Sequence, residues 1–411
     1  MTPDNAENFL QRITFADAQR IVFEVAHATR LPIERIAVEQ AGGRVLAEEL
    51  IAGIALPSFD NSAMDGFALR ARDQASDGET VLQLVGEQFA GRSLALSIAA
   101  GECTRITTGA PMPVGADSIV MKEHARVEGD QVWLHRPVAA GTHVRCAGED
   151  VQPGDHILAA GERLTPAQAS LAASLGMADL AVHRRPTVAV FTTGDELRAP
   201  GQTLAPGEIY DSNRTLLQNL LRAEGLDPVA WPILPDDPAR MRALLRDAAD
   251  AFDVVITCGG VSAGEKDFLP QLLSGLGRIH FWKVMMRPGM PFLFGETGNA
   301  KVLGLPGNPV SVLATFLTLG RDLLNGMQGL APPRQKLHAR LTCDLRKAHD
   351  RREFLRGRLD HGDDAILRVT PHPADGSHRL RGAADSDCLL VLPEGAQQWV
   401  EGDIVEVLRY A

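Results

Sequence analysis

Between about residue 184 and residue 328, short wholly apolar runs alternate with segments apolar on one side only. No other feature narrows the fold of this chain as much. Thr187-Val188-Ala189-Val190-Phe191 is a strand with no polar face. A helix follows over Asn213 to Glu224, with Leu216, Leu217, Leu220 and Leu221 on one side and Gly225 past its end. A strand is expected near Val229 to Leu234, and then a helix from Pro238 with Asp237 as its cap and Met241, Leu244, Leu245 and Ala248 inward. Asp253-Val254-Val255-Ile256-Thr257 is a second buried strand, running into Gly259-Gly260. Strands apolar on both sides must be covered on both sides. The pattern therefore predicts a doubly wound α/β domain.

The remaining segments have a different texture. Thr14 to Thr29 spaces Phe15, Ala18, Ile21, Val22, Val25 and Ala26 as an amphipathic helix. From Ile51 to about Asp150 short β-like runs, such as Val81 to Val85 and Ser118 to Met121, are broken by Gly, Asp and Pro. Leu164 to Leu175 is helical again, opened by Thr165 and Pro166, and Arg334 to Ala411 reads as a small all-β domain. The 411 residues, at roughly 150 per domain, accommodate two to four such units.

Composition excludes several functions. The net charge of −11 argues against nucleic-acid or anionic-membrane binding driven by net charge, but not against a small anion held by local cations. The apolar stretch Val302 to Leu319 is broken by Pro306, Gly307, Asn308 and Pro309, so it does not read as a membrane span. Met1 to Glu7 carries two acids and no basic run, which is unlike a signal peptide. The five cysteines are widely spaced without a CxxC pair, which predicts free thiols and a cytoplasmic protein.

Ligands of open α/β sheets sit where strand carboxyl ends meet helix N-termini. Three loops lie at such places: Thr192 to Leu197, Cys258 to Asp267, and Leu305 to Ser311. Glycines 259, 260 and 264 would let backbone N–H groups approach a phosphate. Asn308 as cap with Pro309 at the first helical position predicts another oriented helix start. Each loop alone is an ordinary turn; three in one α/β unit, two with acids, point to an anionic ligand. Their spacing matches neither the P-loop nor the GxGxxG fingerprint.

Carboxylates beside a phosphate call for a divalent cation, and Asp65, Glu196, Asp236 and Asp267 are candidates for Mg²⁺ ligands or water-positioning groups. Helix capping competes at Asp236, and a turn competes at Asp65 before Gly66; an Asx-turn accounts for Asp60 and Asn61. Gly148-Glu149-Asp150 reads as a solvated loop. Lys283, Arg287 and Arg356 are surface charges singly but together could hold a doubly negative oxyanion.

Seven strings, in order along nearly the whole chain, resemble those of the bacterial MoeA family, whose eukaryotic relatives include the E domain of gephyrin. They are Phe59-Asp60-Asn61-Ser62-Ala63-Met64-Asp65-Gly66, Thr108-Gly109-Ala110-Pro111, Gly148-Glu149-Asp150, Thr193-Gly194-Asp195-Glu196-Leu197, Ile209-Tyr210-Asp211-Ser212-Asn213, Gly259-Gly260-Val261-Ser262 and Leu305-Pro306-Gly307-Asn308-Pro309-Val310-Ser311. The resemblance implies four parts: a split N-terminal domain (1–52 plus 151–183), a β-rich insert (53–150), a molybdopterin-binding α/β domain (184–330) and a C-terminal small β-barrel (331–411).

It also implies a homodimer with the cleft completed by the partner, and molybdenum insertion from molybdate into adenylylated molybdopterin with Mg²⁺-dependent release of AMP. Asp65, Glu196, Asp236 and Asp267 match the family's catalytic positions, with Glu196 and Asp267 as the metal ligands. Substrate contacts are implied at Thr108, Thr193, Gly194, Gly259, Gly260, Ser262, Lys283, Arg287, Pro306, Gly307, Asn308, Pro309, Arg356 and Ser377. Partners would be a molybdopterin adenylyltransferase and cofactor-receiving molybdoenzymes or their chaperones.

Two stretches depart from the family pattern. Arg287-Pro288-Gly289-Met290-Pro291 stands where Lys-Pro-Gly-Lys-Pro is common, and before Gly-Glu-Asp only Arg145 remains of an arginine run. Both thin the positive field. The rival readings are an adenylyltransferase, which would need only the α/β unit, and a non-catalytic cofactor-binding scaffold.

Overall fold

The computed structural model describes residues 10–410 except 77, 236, 263–266, 331–335, 363 and 375. Its first strand, Leu10–Ile13, runs parallel to Arg278–Val284 at one edge of the α/β sheet. Helix α1 (Phe15–Ala28) is capped by Thr14, whose hydroxyl accepts the Asp17 N–H at 3.0 Å. Phe15, Ala18, Val22 and Ala26 bury its apolar face in the core on one side of that sheet. Residues 10–28 thus pack with the α/β unit. The rest of the first segment pairs Ile33–Ala37 antiparallel with Asp179–His183 over a core that includes Val38, Leu46, Leu164 and Val182. Helix α2 (Pro166–Ser174) closes this part, opened by a reciprocal Thr165–Gln168 capping box.

Residues between these halves form a six-stranded sheet in which Gly66–Leu69 lies between Glu102–Ile106 and Ser118–Met121. Its small cores are built on Phe67, Leu69, Val120 and Val132 and on Ala68, Ile106 and Ile119. Alternate residues of the Gly66 strand therefore enter opposite cores, as the two-residue period of a strand requires.

The α/β sheet has seven strands. Val188–Thr192, Val254–Cys258 and Ala300–Leu305 run parallel at its centre, and Leu293–Thr297 runs antiparallel to its neighbours. Val188, Val190, Ile256 and Leu303 fill one core with α3 (Ser212–Ala223), while Ala189, Phe191, Val255 and Val302 fill another with α4 (Pro238–Ala251) and α5 (Leu269–Leu276). This is the two-sided burial that the apolar runs demand. The strand expected over 229–234 is shorter. Only Val229–Ala230 pairs, followed by a bridge from Leu234 to Thr193, because Pro232 between them has no N–H to donate.

After Pro306, α6 (Pro309–Thr315) continues through a π-type stretch, Phe316–Gly320, into α7 (Arg321–Met327). Almost all of this segment is buried, so its apolarity reflects a helix enclosed by protein. Among the described residues no helix is long and apolar enough to cross a membrane.

At the C-terminal end, Leu337–Leu341, Arg352–His361, Leu367–Pro371, Cys388–Leu392 and Ile404–Arg409 close into a five-stranded barrel, since Arg352–His361 pairs with both Leu367–Pro371 and Cys388–Leu392. Met286–Arg287 from the α/β unit adds to that barrel in parallel, with Arg287 opposite Glu353. Two units thereby share backbone hydrogen bonds beside the loops considered next. All five cysteines are free; Cys103, Cys258 and Cys388 are buried.

Candidate active-site cleft

The three loops singled out in the sequence converge at the carboxyl ends of the central parallel strands. The Thr193 N–H and hydroxyl both donate to the Cys258 carbonyl, at 3.0 and 3.2 Å, and the Gly259 N–H donates to the Leu305 carbonyl at 2.9 Å. Approach is so close that a Cβ on Gly259 would lie 2.3 Å from Thr193 Oγ1, and Gly259 has φ +92°. Only glycine meets both conditions. The Glu196 carboxylate folds over Gly194, where an added Cβ would lie 2.5 Å from it. Glu196, Ser262, Gly307 and Asn308 are exposed, Pro306 is buried, and Thr193, Gly260 and Pro309 are half-buried.

Asp211, 3% exposed, holds the first loop from behind. It accepts the Thr192 hydroxyl at 2.6 Å, caps α3 through the Arg214 N–H at 3.1 Å and pairs with the Arg214 guanidinium at 3.1 Å. Asn213 donates from its amide to the Gly307 carbonyl at 2.6 Å, joining α3 to the third loop. Sequence reasoning quoted both residues within a motif but assigned them no role. The available signal was an acid directly before an amphipathic helix at the end of a short strand.

Asn308 sits at the N-cap of α6, yet its side chain makes no capping bond. Its amide instead donates to Ser377 Oγ at 2.9 Å, and the Val310 N–H donates to the Ser377 carbonyl at 3.1 Å. The expected cap is thus a link to the C-terminal barrel. Between the two units lies a cleft of ≈ 370 Å³ whose walls include Arg287, Pro306, Asn308, Arg351, Arg356 and Ser377.

Arg356 is 7% exposed, and its guanidinium donates to the carbonyls of Gly376, Arg379 and Ala374, the first two at 3.3 and 2.9 Å. It shapes the loop that presents Ser377. Arg287 Nε stands 3.4 Å from Glu353, which also faces His349 at 3.2 Å. Met290 lines the cleft where a cation had been lost, but Arg351 lines it as well. The sequence reading missed Arg351, because an arginine in an Asp-Arg-Arg run has the appearance of a solvated charge. Among the described residues, three arginines against Glu353 leave this cleft positive in an acidic chain.

Lys283 does not line that cleft among its described residues. Its ammonium lies 4.2 Å from the ring centre of Trp282, whose indole N–H donates to the Val261 carbonyl at 2.8 Å. It therefore flanks the second loop. Asp267 is half-buried two residues before α5. Asp236 and residues 263–266 lie outside the described residues.

Asp65 and Thr108 form a separate cluster in the β-rich insert. Asp65 accepts the Thr108 N–H at 2.9 Å and its hydroxyl at 3.0 Å, and Lys122 Nζ stands 3.3 Å away. The Thr108 N–H first, then its hydroxyl and Lys122, hold the Asp65 carboxyl below the usual carboxylate range. An ionised, solvent-facing carboxylate is thus fixed in place. Asp60 departs from the local Asx-turn expected of it: it accepts the Ala147 N–H at 2.7 Å and pins a loop 87 residues away.

Comparison with known proteins agrees along the whole chain. Residues 13–176 match the MoeA N-terminal region (domains I and II), 189–326 a probable molybdopterin-binding domain, and 338–410 the MoeA C-terminal region (domain IV). The molybdopterin molybdenumtransferase of Haemophilus influenzae is 36% identical over 377 residues, 91% of this chain and 93% of that one. Molybdopterin molybdenumtransferase 2 of Mycobacterium tuberculosis is 40% identical over 400 residues, covering 95% and 97%. The crystal structure of a MoeA protein from Pyrococcus horikoshii superposes with a TM-score of 0.80 at 30% identity, over 97% of this chain and 99% of that one. With its units in the same order and relatives this similar over nearly its full length, the chain belongs to the MoeA family.

Proposed function

We propose that this protein is a molybdopterin molybdenumtransferase that inserts molybdenum from molybdate into adenylylated molybdopterin and releases AMP. The observation that carries the reading is the cleft itself: the third loop of the α/β unit, to which the other two are linked in series by hydrogen bonds, faces Arg351 and Arg356 of the barrel, joined to it by Asn308 and Ser377. Backbone N–H groups of Gly260 and Gly194 would receive phosphate oxygens, with Gly259 allowing the loops their close approach. Arg287, Arg351 and the Arg356-shaped Ser377 loop would hold molybdate, a tetrahedral dianion. Pro306 bounds the same cleft, and Pro309 opens the helix behind it.

Among the described residues no three carboxylate, imidazole or thiolate side chains gather tightly enough to hold a metal alone. Mg²⁺ does not need such a cage. It binds through one or two carboxylates, keeps waters and takes substrate phosphate oxygens. Glu196, exposed over Gly194, and Asp267 are hard oxygen donors that fit this requirement. Bound Mg²⁺ would neutralise charge building on the phosphate oxygens as the anhydride breaks. The chain's own part is to fix the phosphate and molybdate against one another, which lowers the entropic barrier to their reaction.

We further propose a homodimer, in which the ionised Asp65 beside Thr108 serves the partner's cleft. The separation of that cluster from the arginine-lined cleft within one chain supports this reading. The test is to incubate the purified protein with adenylylated molybdopterin, Mg²⁺ and molybdate and to measure AMP and active cofactor. Molybdate-stimulated AMP release is expected. Its absence would overturn the enzyme in favour of a cofactor-binding scaffold.

A further inference from the structure

A second positive cavity, ≈ 540 Å³, lies where the first segment, the α/β unit and the C-terminal barrel meet, and no step proposed above uses it. Among the described residues its walls carry four arginines, Arg163, Arg185, Arg321 and Arg409, against the single acid Glu224. Two of the cations are tied to protein. Arg321, 2% exposed, pairs with Glu224 at 2.7 Å and donates to the Tyr410 carbonyl at 2.7 Å. Arg163 donates to the Gly43 carbonyl at 3.0 Å and to Asn325 Oδ1 at 2.7 Å.

Arg185 is different. It is half-buried, and among the described residues its guanidinium has no hydrogen-bond acceptor or ion-pair partner. It lies against Gly225, where an added Cβ would be 3.0 Å from its terminal nitrogen. Burial first, then Arg44 and Arg163 nearby, make its charge harder to hold than an ordinary guanidinium, and the attraction of Glu34 only partly offsets them. A half-desolvated cation among cations is an unfavourable arrangement unless an anion completes it. Leu337, Val407, Leu408 and Ala223 supply an apolar wall beside the guanidinium groups. The volume falls in the usual range for small-molecule sites, roughly 300–1,000 Å³.

We propose that this junction binds a phosphate monoester with an apolar body, its dianion on Arg185 and Arg409 and its body against the barrel wall. Because the three units each contribute to the walls, such a ligand would brace them against one another.

Amide hydrogen exchange of the full chain, at constant ionic strength, tests the proposal with inorganic phosphate, AMP and adenosine as probes. Phosphate and AMP are expected to protect residues 223–226 and 407–409 saturably, AMP at the lower concentration, and adenosine to leave them unchanged. Protection by phosphate as strong as by AMP would overturn the part played by the apolar wall. Arg185→Gln is expected to weaken AMP protection at least tenfold while leaving molybdate-stimulated AMP release unchanged. Its melting temperature without phosphate should equal or exceed that of the parent, because a repelled charge is removed; a merely structural arginine would lower it. Arg409→Gln, at the exposed rim, is a second variant expected to weaken AMP protection without a change in folding. The absence of phosphate-dependent protection in the parent, or full protection in Arg185→Gln, overturns the site.

Discussion

Asp322 on α7 is packed against α1, where the Gln19 amide reaches it at 3.5 Å. Burial pushes its carboxyl up to about 7; the Gln19 hydrogen bond opposes the shift and the nearby charge of Glu224 adds to it. In the unfolded chain the same group titrates near about 4. Below that pH both states hold the proton. Between about 4 and 7 the unfolded chain releases it first, so stability falls as pH rises, and above about 7 the full penalty remains. Asp322→Asn should therefore flatten the stability profile between pH 4 and 7 and stabilise the protein at pH 8 by roughly 1–3 kcal/mol. Urea denaturation across that range checks it; identical profiles would show that Asp322 is solvated. Nothing in the order of residues marks Asp322 out. An acid beside an arginine in a helix reads as surface charge, and only the packing of α1 on α7 removes its water.

At the level of elements, caps and strands were legible while cross-links were not. Thr14, Thr165, Asp211 and Asp237 cap helices α1 to α4, and a cap depends on residues within one turn, which are adjacent in sequence. Of these, the sequence marks Thr165 and Asp237 as caps, while the capping roles of Thr14 and of Asp211, although it lies in a family motif, emerge only in the structure. Asn308 was read as a cap and instead joins Ser377, because the barrel brings a hydroxyl from 69 residues away within its reach. The Gly259 loop is an element-level test. Gly259→Ala places a Cβ against Thr193 Oγ1 and forces φ +92° on an L-residue, at a cost of roughly 1–2 kcal/mol. The expected outcome is a correspondingly lower unfolding midpoint and a loss of molybdate-stimulated AMP release larger than the stability loss accounts for. A variant that turns over like the parent would mean that the loop does not touch substrate.

For the whole molecule, the question is how the Asp65 cluster and the arginine-lined cleft serve one reaction. If two chains share each site, Asp65→Asn and Glu196→Gln are each expected to lose turnover. A mixture of the two, dissociated and reassociated, should recover up to about a quarter of parental activity, since random pairing leaves one intact cleft in half of the dimers. Recovery below the sum of the separate activities would place both acids in one subunit's site. Sedimentation should show the dimer directly.

The apolar runs determined the α/β sheet by themselves, since a strand without a polar side has to be covered on both faces. The ordered motifs likewise pointed to the family without coordinates, because turn glycines, prolines and caps act through neighbours in the chain. What only the tertiary structure decided is which charges face each other. Arg356 shapes the Ser377 loop, Arg351 enters the cleft beside Met290, and Arg185 stands without a partner among the described residues. Electrostatic partners are set by distance and desolvation, and both arise from packing between segments far apart in the sequence.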